Sequence, residues 1–224
     1  MTDEEMDDDV PQSHSVIDRL RENWIAAALI GVIVIGALVF AFQWFPRDPA
    51  SDSAEAGFAR DMSTHHGQAV AMALKMRDRT EDEQVFYLCT DIALTQQGEI
   101  GIMTGWLMAW DLNTVGDDKP MSWMGMPMSG LMPGMATQEQ IAQLDTLPVA
   151  EAEGLFFQLM IRHHQGGIEM AQALLDRSDD DMVRGVAQQM IVIQTAEIDT
   201  MNQMLEARGQ SPITDPLPDS HEEM

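Results

Sequence analysis

"MIRHHQGGIEM", residues 160–170, sets two adjacent histidines between two methionines, and "MSTHHGQAVAM", residues 62–72, does so again. A shift of 98 residues aligns Met62 with Met160, His65 with His163, His66 with His164 and Met72 with Met170. The same shift aligns Gln96 with Gln194, Glu99 with Glu197, Ile100 with Ile198 and Met103 with Met201. One ungapped offset that matches two separated segments predicts a duplicated pair of helices. An αα-hairpin cannot bury its apolar stripe alone, so the two copies are expected to pack as a four-helix bundle.

The helix signals agree with this. Asp52 with Glu55, and Thr80 with Glu83, have capping-box spacing and predict helices over 52–79 and 80–112. Pro148 suits the first turn of a third helix running to about 177. Ser178 and three following aspartates open a fourth, which stops at Gly209 with Pro212 beyond. No stretch alternates as a strand would, so the fold class is all-α. The bundle should occupy 54–209, with a crossover at 113–147 that carries a short helix at 138–145. Residues 46–53 read as a linker and 210–224 as a disordered tail.

Residues 24–45, "WIAAALIGVIVIGALVFAFQWF", hold no charge and are flanked by Trp24 and Trp44. Their length suits one transmembrane helix, with the tryptophans at the two interfaces. Arg19 and Arg21 precede the span and Arg47 follows it, which favours a cytoplasmic acidic segment at 1–23 and a bundle outside the cytoplasm. The expected localisation is therefore the cell membrane, single-pass, with the C-terminal domain extracytoplasmic.

The formal charge is −25, with 12 Lys and Arg against 37 Asp and Glu. Nucleic acid is an improbable partner for such a surface, whereas cations are attracted to it. A solvated acidic face is the plain alternative. Cys89 is the single cysteine, so no intramolecular disulfide and no cysteine-based zinc site exist. Twenty methionines exceed what a domain of this size needs to fill gaps.

The candidate ligands are Met62, His65, His66, Met72, Glu99 and Met103 in the first copy, and Met160, His163, His164, Met170, Glu197 and Met201 in the second. At about 100° per residue Met160, His163 and Met170 share one helical sector. Imidazole with thioether suits Cu(I) and Ag(I), and imidazole with carboxylate suits zinc or iron. Core packing by the methionines, and carboxylates that only orient the histidines, are the competing explanations. The crossover segment "MSWMGMPMSGLMPGM", 121–135, adds Met124, Met126, Met128, Met132 and Met135 on a Gly/Pro-broken loop. Such a loop suits either a wrap around a soft cation or an adaptable lid.

The paired MxxHH…M segments, the downstream Q-x-x-E-I helices and the "MPGM" crossover resemble the family called domain of unknown function 305, over about residues 52–208. The resemblance implies a ferritin-like four-helix bundle outside the cytoplasm that binds copper and, in some members, silver. The family motif falls on Met62, His65, His66 and Met72 and on Met160, His163, His164 and Met170. The first copy, "HHGQAVAM", departs from the family's usual HHQGA spelling, so the second copy is expected to bind more strongly, with Glu169 adding a carboxylate.

The leading expectation is a membrane-anchored protein that sequesters copper or passes it on, chiefly as Cu(I) and with silver as an alternative ion, with metal ions as partners and homo-oligomers left open. A ferritin-like dinuclear metalloenzyme is the alternative, but no histidine here has a glutamate three residues before it, as the Glu-x-x-His motif requires. A structural or signalling bundle whose histidines sense pH is a third reading.

Overall fold

The structure is a computed structural model that describes residues 16–44 and 48–217. Six α-helices and no strand occur among the described residues: α1 (Val16–Trp44), α2 (Ala54–Arg77), α3 (Glu83–Ala109), α4 (Gln138–Thr146), α5 (Val149–Leu175) and α6 (Asp181–Ala207). A short 3₁₀ turn, Ser122–Met124, lies in the crossover. The chain divides into two units, Met1–Asp48 and Pro49–Met224.

In the first unit, the acidic segment expected at 1–23 lies outside the described residues up to residue 15. The span expected at 24–45 also lies partly outside them. Among the described residues no helix is long and apolar enough to cross a membrane.

In the second unit, the offset of 98 carries α3, Glu83–Ala109, onto α6, Asp181–Ala207, residue for residue. The caps repeat too. Asp82 Oδ1 accepts from Gln84 N and Val85 N, and Asp180 Oδ1 accepts from Met182 N and Val183 N. The expected capping residues were two positions early. Thr80 and Ser178 instead accept from the N–H of Asp82 and Asp180, and so shape the turn that leads into the cap. Likewise Ser53 rather than Asp52 caps α2, accepting from Ala56 N. Each of these positions offers two oxygen-bearing side chains, and spacing alone does not decide which one meets the first free N–H groups.

α2 pairs with α3 and α5 with α6, and the hairpins meet chiefly through α2 and α5. Two apolar clusters result. One joins Met72, Met76, Val85, Ile92, Phe156, Phe157, Met160, Met201 and Leu205 with α4. The other joins Phe58, Met62, Met103, Leu107, Met170, Leu174, Val183 and Met190 with the crossover. Between them lie buried polar residues from all four helices: His65, His66, Gln96, Glu99, His163, His164 and Gln194.

Within this unit the crossover packs on the helices. Gln68 on α2 donates to the Ala136 carbonyl and accepts from its N–H. Asp61 accepts from Met121 N at 2.7 Å and Trp123 Nε1 at 2.9 Å. Trp123 fits beside Gly57, where a Cβ would overlap its ring. α4 carries the full capping box of Thr137 and Gln140. Past Gly209, the chain expected to be a disordered tail is held as far as Asp215. Asn202 exchanges two hydrogen bonds with the Ile213 backbone, and Arg162 pairs with Asp215 at 2.7 Å. Ile213 also packs on the apolar cluster, a contact that the tail's polar composition concealed. Residues 218–224, including His221, lie outside the described residues.

Candidate metal centre

Each copy makes the same carboxylate–imidazole pair across its own hairpin. His66 Nε2 lies 2.8 Å from Glu99 Oε2, and His164 Nε2 lies 2.6 Å from Glu197 Oε2. Both histidines are fully buried, whereas Glu99 is nearly so and Glu197 is half-buried. The other two imidazoles meet each other. His65 and His163, equivalent under the repeat, have ring centroids 3.7 Å apart with planes 32° from parallel. Both belong to α2 and α5, the helices through which the hairpins touch.

Their hydrogen bonds determine the tautomers. A carbonyl only accepts, so His65 Nε2 donates to Pro133 O at 3.0 Å and His163 Nε2 donates to His65 O at 3.0 Å. Burial, and then the neighbouring His66, push His65 down to about 3. Burial, followed by His65 and the other two histidines, holds His163 well below its ordinary range. Both rings are therefore neutral near pH 7, with the proton on Nε2 and the lone pair on Nδ1. A carboxylate only accepts, so Nε2 of His66 and of His164 donates to Glu99 and Glu197. Nδ1 of His65, His66 and His164 is buried with no hydrogen-bond partner. Both amide atoms of Gln96 and Oε1 of Gln194 are unpartnered as well.

Unpaired buried polar atoms of this kind are costly unless something occupies them. The donors suit a soft or borderline cation: neutral imidazole needs no deprotonation, and thioethers flank the layer on both sides. No group of three His, Cys, Asp or Glu side chains is arranged to hold a metal ion among the described residues. Any such site must therefore draw on methionine sulfur, glutamine or rearranged rings.

The methionines divide in a way that helical spacing did not reveal. Met160 belongs to one apolar cluster with Met72 and Met201, while Met170 belongs to the other with Met62 and Met103. Ten residues of helix separate Met160 from Met170 by about 15 Å, so one ion cannot take both. Met62 and Met160 each sit one turn before a histidine pair, on opposite sides of the layer. All six are fully buried. In the crossover Met132 is buried, and Met124, Met126, Met128 and Met135 are half-buried against the cluster that contains Met62. They pack over that end of the bundle. Glu169, expected to add a carboxylate, is exposed and lies on the solvent side of α5. Cys89 is buried, and its thiol is pushed up to about 12 by burial and then by the nearby Glu153.

Several contributors were not apparent as candidates. The Pro133 carbonyl reaches His65 because Gly134 and Gly166 let the crossover lie directly on α5. A Cβ on Gly166 would overlap the Pro133 carbonyl, and one on Gly134 would overlap the Arg162 carbonyl. Gly167 admits the Gln194 side chain. The glycine pair in "HHQGGIEM" was the available signal, since two glycines in a helix leave room for whatever packs there, here a loop at Gly166 and a glutamine at Gly167.

This all-helical domain of two equivalent hairpins has counterparts among known proteins. Residues 55–205 match the family model DUF305, domain of unknown function, and the chain belongs to this family. A DUF305 protein from Streptomyces coelicolor is 46% identical, with a TM-score of 0.70 over 74% of this chain and 100% of that one. A DUF305 fragment from Deinococcus radiodurans is 34% identical, with a TM-score of 0.61 over 72% of this chain and 99% of that one. CopM in its Cu(II)-bound form is 26% identical, with a TM-score of 0.55 over 70% of this chain and 97% of that one. No curated protein gives a significant match.

Proposed function

We propose that the protein is an extracytoplasmic metal-binding protein that takes up copper, chiefly Cu(I), for sequestration or homeostasis, on a ferritin-like four-helix bundle. The observation that carries this reading is the set of buried Nδ1 atoms of His65, His66 and His164, each without a partner, between two methionine-bearing clusters. Glu99 and Glu197 hold two of the rings in the tautomer that offers Nδ1, and so act on the ligands rather than on the metal. Histidines from both copies share one layer, so neither copy binds alone. Met62, Met103 and Met170 supply thioethers from one side, and Met72, Met160 and Met201 from the other. Met124, Met126, Met128, Met132 and Met135 receive the ion outside the layer or cover it. Silver follows by the same soft-ligand chemistry. The copper-bound relative CopM supports the metal assignment.

The same proposal includes a single membrane anchor at 24–45 with the bundle outside. Its support is the uncharged run itself and the exposure of Leu29, Ile30, Val32, Ile33, Ile35 and Leu38 in α1, apolar on every side. The Streptomyces coelicolor relative carries a provisional description as a secreted protein, in keeping with a domain outside the cytoplasm.

The test is competition for Cu(I) between the full chain and a chromophoric chelator. Replacing His66 and His164 together by alanine should weaken binding at least about tenfold while helicity is retained. Parent-like affinity in the double variant would assign the histidines to packing alone.

A further inference from the structure

A buried layer needs a way in. Because the hairpins meet chiefly through α2 and α5, a groove of about 450 Å³ runs between α3 and α6. Asp91, Val192, Ala196, Glu197, Thr200 and Met204 help line it, and no basic side chain does. Glu197 is the link: it lines the groove, and its Oε2 accepts the proton of fully buried His164. One carboxylate thus reaches from open solvent to an imidazole of the layer.

The duplication supplies an internal comparison. Shifting by 98 residues places Gln189 where the groove has Asp91, Ile102 where it has Thr200, and Trp106 where it has Met204. The equivalent stretch, at the other end of the same α3–α6 face, therefore carries an amide, a branched aliphatic group and an indole at these three positions. Trp106 is packed into an apolar cluster there. The equivalent lining keeps an acid in Glu99, a hydroxyl in Thr95 and a thioether in Met182, so the groove is distinguished by the additional carboxylate of Asp91 and by a half-buried Glu197 where Glu99 is nearly buried.

We propose that the α3–α6 groove is the port through which a soft monovalent cation reaches the buried imidazoles, passing from Asp91 and the Met204 thioether to Glu197 and from Glu197 to His164. The proposal rests on the metal reading above. An acidic cleft with low-dielectric walls concentrates cations and raises their rate of entry. Carboxylates offset the ion's charge while its water is shed, and the thioether gives it a soft ligand before it reaches Glu197. Entry becomes a series of ligand exchanges, with no step that leaves a bare cation in the apolar core.

The experiment measures how fast the full chain strips Cu(I) from a chromophoric chelator in stopped flow, beside the equilibrium affinity from titration. Ala196→Trp plugs the groove, and Gly98→Trp places the same ring at the equivalent position toward the other end of the α3–α6 face, where a Cβ meets open space. Ala196→Trp should slow loading at least about tenfold with affinity unchanged, and Gly98→Trp should load like the parent. Asp91→Asn should slow loading less and weaken its dependence on salt. Circular dichroism checks folding, and Thr200→Leu serves as a milder plug if the indole proves disruptive. Equal rates for Ala196→Trp and the parent, or equal slowing by both tryptophans, would overturn the port alone. A parent chain that takes no Cu(I) from the chelator would overturn the metal reading and the port with it.

Discussion

Acidifying the metal-free protein should destabilise it from its middle. His65 titrates at about 3 in the folded chain against an ordinary 6.5, because burial disfavours its charged form and His66 lies beside it. The folded value is the lower one, so below about pH 6.5 the unfolded chain takes up a proton that the folded chain refuses. Stability is therefore full above the unfolded value and falls as pH drops toward the folded one. At pH 5 the unfolded ring is one and a half units below its pKa and the folded ring is still neutral. The loss from His65 alone is then about 2 kcal/mol, and it approaches about 5 kcal/mol near pH 3. His163, shifted the same way, adds to it. Against a total of roughly 5–15 kcal/mol this is a large share. Urea unfolding of the full chain with a chelator present, followed by circular dichroism at pH 7 and pH 5, measures it. Because carboxylates also titrate in this range, the comparison is with His65→Gln, whose loss between the two pH values should be smaller by about 2 kcal/mol. Identical pH dependence in parent and variant would refute the assignment of a neutral, proton-refusing ring.

Two glycines should behave in opposite ways. Gly166→Ala drives a methyl into the Pro133 carbonyl and should cost about 1–3 kcal/mol, whereas Gly98→Ala meets nothing and should stabilise by about 0.4–1 kcal/mol, both read from denaturant midpoints. Cys89 should resist maleimide in the folded protein at pH 8 and react once denatured, since its thiol stays protonated and buried. Arg208→Ala removes the cation that binds Asp82 at 2.8 Å and Glu153 at 3.0 Å and rests on the Phe157 ring, leaving Glu153 buried without it. The loss should be about 2 kcal/mol after allowing for the partial exposure of the pair, seen as a lower Tm.

The duplication was legible because helix periodicity and a fixed offset are local and additive along the chain. Thr80 and Ser178 were placed in the right turn and given the wrong role, since capping depends on which of two nearby oxygens faces the free N–H groups. The pairs His66–Glu99 and His164–Glu197 could be anticipated from shared helix faces. The stacking of His65 on His163 could not, because it depends on how one hairpin meets the other. The separation of Met160 from Met170 was hidden for a simpler reason: a helical wheel records direction and discards height along the axis. Glu169 was misjudged from its proximity to the motif, although one residue of helix rotates it away from Met170 and into solvent.

The stacked pair also bears on how such a chain can change over generations. Two unlinked hairpins joined about a two-fold axis would set this ring against its own twin, and symmetry would oblige both to make the same bonds. Any substitution there would strike twice. In the joined chain the obligation is gone: His163 gives its proton to the carbonyl of His65, whereas His65 gives its own to Pro133. Pro133 belongs to the connection between the repeats, a piece that a pair of separate hairpins would lack. Fusion therefore gave each ring its own anchor, and a single replacement can now retune half of the layer, an intermediate step closed to a symmetric dimer.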